Sequence, residues 1–498
     1  MISIVRLIVG LFISIFLFLL QKSAIEQELN HPNILIILAD DLGYGDLGVY
    51  NSHSLIPTPN LDRLASEGIR LTDAYCPVAV CSPTRYSLMT GRYSFRSWKN
   101  SVMANYEPSL IEDELLTLPE MLQEAGYSTA GFGKWHLGTT FPTLDGEKPV
   151  SYGKHRDENN GANLDLNKLV RGGPIDHGFD HWLGFSCASE CWILEDKQVI
   201  GYLKHDFYTV EAASGYERLR SFALEEYLPY LTEQTIDFFE NNSSAENPFF
   251  VYYSPYVPHI PLAVNEPFIG KTKAGLYGDY VHELDYSIGL VLDALDTLGL
   301  SENTVVLFAS DNGSHFAYAS SEIAMETAVN APFSVDTAAL TGPLHYPNAP
   351  LRGTKRDVWE GGVRTPLLAR WPGHFPKGET NSELFALNDV LATLAALVDY
   401  QLPNHSAQDS YNLLPVLEDK RENIRESVVV QSSNKTYGLR HGKWKFIQEV
   451  EGQKPQLYDL SQDESETTNV YASYPEVAKT LEQKLYELLD SERTAPSH

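Results

Sequence analysis

Two pairs of side chains with hard oxygen atoms each follow directly after an apolar run of the sequence. They are Asp40-Asp41 and Asp311-Asn312. Carboxylate and amide oxygens suit Ca²⁺ or Mg²⁺ better than zinc. Three carboxylates brought close together repel one another strongly unless a cation lies between them. The sequence therefore predicts a site for a divalent cation.

A third chemically active segment is Cys81-Ser82-Pro83-Thr84-Arg85. A proline near the first turn and a glycine at position 91 predict a helix that begins at about Cys81. A helix amino terminus favours an anion. Arg85 lies one turn further along and can reach back to the same place.

Four basic side chains complete the set of candidates. Lys134 and His136 are two residues apart, so in an extended segment both face the same side. His259 sits in a turn framed by prolines, and Lys355 follows the Gly353-Thr354 pair. Together they offer ammonium and imidazole groups that bind an anion and move a proton.

The elements that must position these side chains are strands of an α/β fold. Apolar runs at 33–39, 127–132, 248–253 and 304–310 read as buried strands of a large, mostly parallel sheet with helices on both faces. Each run is followed at once by polar, ionisable residues. Because ligands bind at the carboxyl ends of such strands, we expect the four groups to meet.

Helices are predicted between and beyond these strands. Two of them, 60–67 and 118–125, are each followed by a glycine, Gly68 and Gly126, as expected for a left-handed C-terminal cap. The other predicted helices span 231–240, 277–298 and 388–398.

The character of the chain changes after about residue 415. Short strands at 427–431, 437–440 and 443–447 and an amphipathic helix at 474–489 predict a smaller C-terminal α+β domain with an antiparallel sheet. Alternating polar and apolar residues in 443–447 indicate a strand with one wet face. The predicted domains are therefore 25–415 and 416–498.

Residues 1–24 have the pattern of a signal peptide, with Arg6 before the apolar run 7–20 and small residues at 23 and 24. The run is short for a membrane span, although an uncleaved signal anchor is the alternative. We expect an exported, periplasmic or secreted protein without stable membrane association.

The net charge of −29 argues against nucleic acid as a partner. It also repels anionic polysaccharides at long range, so an anionic substrate needs a local basic cluster. Four cysteines are too few for a disulfide scaffold. Cys187 and Cys191 could pair with each other, or either could pair with Cys76. A zinc site with His177 and His181 nearby is the alternative.

The segment Cys81 to Arg85 fits the Cys-x-Pro-x-Arg signature of type I sulfatases, and other stretches match the same family. The matching stretches are 39–46, 58–62, 81–91, 131–138, 311–313 and 352–364. The chain resembles a formylglycine-dependent sulfatase of the alkaline phosphatase superfamily over nearly its whole mature length. The resemblance implies an alkaline-phosphatase-like fold.

This resemblance implies that a formylglycine-generating maturase oxidises Cys81 to formylglycine (3-oxoalanine). The hydrated aldehyde has one hydroxyl to attack sulfur and a second to expel the sulfate. It also implies one Ca²⁺ ion; the ligands would be Asp40, Asp41, Asp311, Asn312 and the formylglycine made from Cys81.

The family also implies roles for the basic residues. Arg85 would stabilise the hydrated aldehyde, and Lys134 would bind sulfate oxygens. His136 would be the base that releases sulfate. His259 and Lys355 would bind the ester and protonate the departing alcohol. A family serine corresponds to either Ser186 or Ser189.

The substrate expected from the resemblance is a sulfated carbohydrate, as in bacterial carbohydrate sulfatases, with 6-O-sulfated galactose or N-acetylgalactosamine favoured. Loops 141–176, 186–220 and 314–350 contain residue types that suit sugars: His155, Arg156, Arg171, His177, Trp192, His315 and His345. The alternatives are a phosphonate monoester or phosphodiester hydrolase of the same superfamily and a non-catalytic binder of sulfated glycans.

Overall fold

A computed structural model of the chain describes residues 31–98, 102–154, 159–187, 190–204, 210, 213–322, 342–420, 423–449, 452 and 454–497. The predicted signal peptide therefore lies outside the described residues. Among the helices that are described, none has both the length and the apolar character needed to cross a membrane.

An eleven-stranded sheet forms the centre of the molecule. In chain order its strands are β1 (Asn33–Ala39), β2 (Ile69–Leu71), β4 (Ser128–Lys134), β5 (His181–Phe185), β6 (Trp192–Glu195), β7 (Gln198–Lys204), β8 (Arg220–Ala223), β9 (Phe249–Ser254), β10 (Thr304–Ser310), β11 (Leu367–Arg370) and β12 (Glu379–Asn381). Across the sheet the order is β12-β2-β11-β10-β1-β9-β4-β5-β6-β7-β8.

The central strands β10, β1, β9, β4 and β5 all run parallel. Every residue of β1, β9 and β10 is buried, because helices cover both faces of the sheet. The prediction of a mostly parallel sheet is confirmed. The flanking strands β11 and β6 run antiparallel to their neighbours. A separate pair of short strands, β3 (Ala74–Tyr75) and β13 (Phe385–Ala386), is parallel.

The α-helices of the described residues are α1 (Pro59–Glu67), α2 (Cys81–Thr90), α3 (Leu118–Glu124), α4 (Leu224–Asn242), α5 (Gly275–Thr297), α6 (Glu360–Val363), α7 (Val390–Leu397), α8 (Leu414–Leu417) and α9 (Pro475–Asp490). Helix α3 begins with a capping box, in which Thr117 and Glu120 each satisfy the backbone N–H of the other.

The prediction that α4 starts at 231 is wrong, because the helix begins seven residues earlier. Pro229 interrupts the sequence pattern, since it has no N–H to donate to the carbonyl of Glu225. The side-chain amide of Asn265 donates to that carbonyl instead, at 2.7 Å. A hydrogen bond from a residue distant in sequence thus replaces the one that proline cannot make, and the helix continues on both sides of Pro229.

The glycines that follow the first three helices do not all have the same role. Gly126 and Gly91 have φ of 91° and 63°, the left-handed cap that was expected. Gly68 instead has φ of −140°, so the predicted cap is wrong there. A Cβ at position 68 would lie 2.1 Å from the carbonyl oxygen of Ala369, so close backbone approach requires this glycine.

The C-terminal part contains the predicted antiparallel sheet, formed by β14 (Ser427–Gln431), β15 (Tyr437–His441), β16 (Trp444–Ile447) and β17 (Gln456–Asp459). One face packs on α9 through a small second core that includes Val429, Phe446 and Leu485. Val428 and Val430 on the other face join the main core. The proposed division at residue 415 stays a prediction.

The prediction of a wet face on β16 is wrong. Lys445 is fully buried, and its Nζ donates to Glu360 Oε1 at 2.6 Å. Tyr75 also donates to Glu360, at 2.7 Å. Lys445 made this face look polar in the sequence. The lysine is nevertheless buried, because it pairs with a buried glutamate of α6.

We expect Lys445→Met to lower the free energy of unfolding by about 3 kcal/mol, because it leaves the Glu360 carboxylate buried without its closest cation. Lys443→Met is the matched control. Lys443 is about half exposed and pairs with Asp459 at the surface, where an ion pair contributes little. Urea unfolding of both variants tests the prediction, and equal losses would contradict it.

Candidate active site

The carboxyl ends of the central strands bring the two acidic segments together. Ala39 is in register with Ser310, so the residues that follow them, Asp40 and Asp311, emerge side by side. The backbone N–H of Asp311 donates to the Ala39 carbonyl at 3.1 Å. The N–H of Asp41, which has a left-handed φ of 66°, donates to Asp311 Oδ1 at 3.3 Å.

Arg85 lies at the centre of this acidic group and is fully buried. Its Nε and Nη2 donate to Asp311 Oδ2 at 3.1 and 2.9 Å, and Nη2 is 3.3 Å from Asp40 Oδ2. Nη1 donates to the Lys134 carbonyl at 2.9 Å and to Ser254 Oγ at 2.6 Å. The guanidinium therefore joins the carboxyl ends of four strands of the sheet, β1, β4, β9 and β10.

Two buried ammonium groups contact the carboxylates of Asp40 and Asp41. Lys134 Nζ is 2.5 Å from Asp40 Oδ2, and Lys355 Nζ is 2.8 and 2.6 Å from the two oxygens of Asp41. Burial raises the pKa of Asp40, but Lys134 and other cations outweigh it and hold that pKa below its ordinary value. Burial opposes the charge on Lys355, yet Asp41 raises its pKa. Both pairs are ionised at neutral pH.

Cys81 is the first residue of α2, as predicted, and its Sγ lies 3.8 Å from Asp40 Oδ1. Burial raises the pKa of this thiol to about 11, against the effect of Lys134 and Lys355. A cysteine nucleophile normally has a lowered pKa, because the thiolate is the reactive form. The unmodified side chain is therefore poorly suited to act as the nucleophile.

The two predicted histidines differ in exposure. His259 Nδ1 lies 2.5 Å from its neighbour's carbonyl oxygen, at Ile260, and Nε2 lies 3.7 Å from Asp41 Oδ2. Its side chain is 14% exposed, the most open of the predicted site residues. Burial and Lys355 lower the pKa of His259 to about 3. His136 is buried on left-handed backbone, with a φ of 58°. Burial, with Lys134 and Arg85, lowers its pKa well below the ordinary value.

The side chains present fit a hard divalent cation. Asp40, Asp41, Cys81 and His259 each offer a ligand atom within 4.8 Å of one another. Asn312 Nδ2 donates to Asp41 Oδ1 at 2.7 Å, while Asn312 Oδ1 is buried without a hydrogen-bond partner. A cation would use that oxygen. Asp311, the remaining predicted ligand, contacts Arg85 and the Asp41 N–H.

Repulsion among the acids is visible in the pKa of Asp311. Burial first, and then the nearby Asp40 charge, raise this pKa to about 6 even though Arg85 opposes the shift. A cation between the carboxylates would remove the cause of that repulsion.

Several residues that contact the site were not singled out in the sequence. Tyr252 OH and Ser254 Oγ accept hydrogen bonds from Arg85. The Tyr256 ring centre lies 5.3 Å from Lys134 Nζ and 4.6 Å from the ring of His259. The three residues are spaced by two at the end of β9, and this alternation in a strand is the signal that could have found them.

Three of the seven loop residues considered for sugar binding are instead structural. His177, Trp192 and His345 are buried. His345 Nε2 lies 2.7 Å from Asp46 Oδ1, and Trp192 Nε1 donates to the Tyr106 hydroxyl. His155 and Arg156 lie outside the described residues.

The alternative of a zinc site near Cys187 is not supported by the described residues. His177 Nε2 lies 2.8 Å from Ser109 Oγ, and His181 Nδ1 lies 3.0 Å from Asp196. Within the described ranges, the group of potential metal ligands is the one at Asp40.

Of the two serines, Ser186 is described and Ser189 is not. The Ser186 carbonyl accepts the N–H of His136 at 2.8 Å, and its hydroxyl donates to Glu190. Burial raises the pKa of Glu190 to about 7. Ser186 thus supports the backbone of His136, and its hydroxyl points to a buried acid.

The chain belongs to the sulfatase family, whose model, described as "Sulfatase", matches residues 32–400. A second model, described as "N-sulphoglucosamine sulphohydrolase, C-terminal", matches residues 354–491. The protein is accordingly a sulfuric ester hydrolase.

Individual relatives match between 78% and 94% of the chain. An N-acetylgalactosamine-6-O-sulfatase of Bacteroides thetaiotaomicron is 32% identical over 94% of both chains. The human N-acetylgalactosamine-6-sulfatase is 32% identical over 78% of this chain and 66% of its own length. A solved structure concerned with metabolism of multiple glycosaminoglycans by B. thetaiotaomicron has a TM-score of 0.78 at 28% identity, covering 93% of this chain and 100% of its own.

We expect the Asp311 carboxyl to make stability depend on both pH and calcium. Its pKa of about 6 lies above the ordinary 3.8, so ionisation weakens the fold as the pH rises through about 6. In EDTA, wild type should gain stability relative to Asp311→Asn as the pH falls from about 7 to about 4.5. Added Ca²⁺ should remove this gain.

Thermal unfolding midpoints of the two proteins, with EDTA and with Ca²⁺, measure the effect. Asp311→Asn also removes a partner of Arg85, which lowers the unfolding midpoint at every pH. The informative quantity is therefore how the difference between the two midpoints changes with pH, not its size at one pH. Parallel pH curves in EDTA would contradict the prediction.

Proposed function

We propose that the enzyme removes the 6-O-sulfate from N-acetylgalactosamine or galactose residues of a sulfated glycan, with a formylglycine made from Cys81 and one Ca²⁺ ion. The observation that carries this proposal is the convergence of Cys81, three carboxylates and the cations Arg85, Lys134 and Lys355 at one end of the sheet. The names of the two N-acetylgalactosamine-6-sulfatase relatives support the choice of sugar.

Formylglycine and Ca²⁺, when present, supply a nucleophilic hydroxyl and a Lewis acid. The ligands would be those expected from the sequence, with the amide oxygen of Asn312 among them. Arg85 holds Asp40 and Asp311 in place through its buried hydrogen bonds. This fixed geometry positions the oxygen ligands before a substrate arrives.

Lys134 and Lys355 bind the sulfate oxygens. Each now contacts a carboxylate that a calcium ion would also bind. With the ion present, the ammonium groups have positive charge to spare for an anion. Such fixed charges in a buried site favour the transition state, where charge builds on the sulfuryl oxygens.

His259 lies on the side from which the alcohol part of the ester approaches, because it is the most exposed of the group. Burial first, and then Lys355, lower the pKa of His259. A sulfate group that pairs with Lys355 cancels part of the repulsion from Lys355 and raises this pKa, which favours the protonated His259 that donates to the departing alcohol. His136, kept neutral by burial and by Lys134, accepts a proton when sulfate is released.

The direct test is sulfate release from 6-sulfated N-acetylgalactosamine, galactose and glucosamine, with Ca²⁺ and co-expressed maturase. We expect release from the first two sugars and none from the Cys81→Ala variant. Mass spectrometry of the peptide that contains Cys81 verifies the conversion to formylglycine. Converted protein that is inactive on all three sugars but cleaves an aryl phosphonate would instead favour the phosphonate hydrolase alternative.

Removal of either lysine should slow catalysis strongly. We expect Lys134→Ala and Lys355→Ala each to lower kcat about 100-fold or more, the range seen when one fixed stabilising group is lost. Lys479→Ala, an exposed position on α9, is the control and should be fully active. Normal kcat in either site variant would contradict the proposed sulfate contacts.

A further inference from the structure

Arg356 is an exposed residue on strained backbone directly after Lys355. Its φ of 82° is a conformation that a bulky side chain rarely adopts. Two backbone hydrogen bonds hold it there. The Arg356 N–H donates to the carbonyl of Ala79 at 2.8 Å, and the Ser433 N–H donates to the Arg356 carbonyl at 3.1 Å. Such strain persists where surrounding structure imposes it, and it is frequent at ligand sites.

The guanidinium of Arg356 has no ion-pair partner within the described part of the chain. Some other arginines without a carboxylate partner, such as Arg70 and Arg218, donate instead to a hydroxyl or an amide oxygen. Other arginines of the same chain do find carboxylates: Arg63, Arg92, Arg364, Arg370, Arg425 and Arg440. The Arg356 charge is therefore available to an anion from outside.

The position of Arg356 is close to the active site. Burial first, and then Lys355 and Arg356, lower the pKa of His315 to about 4, while Asp41 opposes the shift. The charges of Arg356 and of the site residues Lys355 and Asp41 thus reach the same imidazole. Arg356 is also held against Ala79, two residues before Cys81.

The segment that contains Arg356 also forms a wall of a cleft. Gly353 and Thr354 line a cavity of about 410 Å³ together with Tyr346 and Asn348. Tyr346 is 52% exposed, so it presents an aromatic surface of the kind on which sugar rings stack. The cleft has space for the part of a glycan beyond the scissile sulfate.

We propose that Arg356 binds a second anionic group of the substrate, an oxyanion on the glycan in addition to the sulfate that is removed. This inference rests on the proposed function. Both a further sulfate ester and a uronate carboxylate have the oxygen geometry that a guanidinium binds through two parallel hydrogen bonds. A cation close to the site offsets the overall negative charge, which repels polyanions.

The test compares three substrates: 6-sulfated N-acetylgalactosamine, the 4,6-disulfated sugar, and a disaccharide of hexuronate and 6-sulfated N-acetylgalactosamine. We expect wild type to prefer at least one doubly anionic substrate over the singly charged one. Arg356→Gly should lower that preference, as a ratio of kcat/KM, by about tenfold, mainly through KM, as expected for loss of a charge-assisted contact. The substrate that loses most identifies a sulfate or a carboxylate as the ligand.

Glycine is the informative replacement because it accepts a φ of 82° without strain, so the variant's unfolding midpoint should not fall. Arg356→Lys should keep part of the preference. Arg70→Ala is the control, since Arg70 lies on β2 near the edge of the sheet and donates to Thr380, and its ratio should be that of wild type.

An unchanged ratio in Arg356→Gly overturns the role of Arg356 while leaving the proposed function intact. Wild-type protein with confirmed formylglycine that releases no sulfate from any of the three substrates overturns the proposed function and this inference together. The two failures are therefore distinguishable.

Discussion

The mutual repulsion of Asp40, Asp41 and Asp311 is the constraint on which the rest of the structure depends. All three carboxylates are at most 2% exposed, where like charges interact strongly because little water screens them. The fold offsets this repulsion with three cations, Arg85, Lys134 and Lys355, and each of them contacts one or more of the acids. Each cation comes from a different segment, so the balance of charge exists only in the folded chain.

A divalent cation would change this balance of charge in favour of binding an anion. Without it, the ammonium groups are occupied by carboxylates. With it, the same carboxylates have a closer partner, and the site as a whole carries an excess of positive charge. An anion then completes the neutralisation. In the proposed function, metal binding and sulfate binding would be parts of one electrostatic arrangement, because the lysines that contact the acids would also contact the sulfate.

Much of this arrangement could be predicted from the sequence because local patterns specify it. The strands that precede Asp40 and Asp311 are continuous apolar runs, and the helix that starts at Cys81 has its proline and glycine signals. The features that were missed depend on contacts distant in sequence. Asn265 donates to the helix carbonyl that Pro229 cannot bond. Lys445 can be buried because it pairs with the buried Glu360. In both cases the partner is distant in sequence, so the pattern around Pro229 or Lys445 does not reveal it.

The Lys445–Glu360 pair has a consequence for how enzymes of this kind can be recombined. Glu360 belongs to the stretch of chain that also includes Lys355, and the backbone of its neighbour Gly361 lies so close to Gly313 that no side chain fits between them. The C-terminal sheet therefore contacts the same segment of chain that carries Lys355. A chimaera that exchanges this sheet between two sulfatases must therefore also exchange the matching 351–364 segment. Otherwise the buried residue of the new sheet at position 445 faces a segment that does not provide its partner.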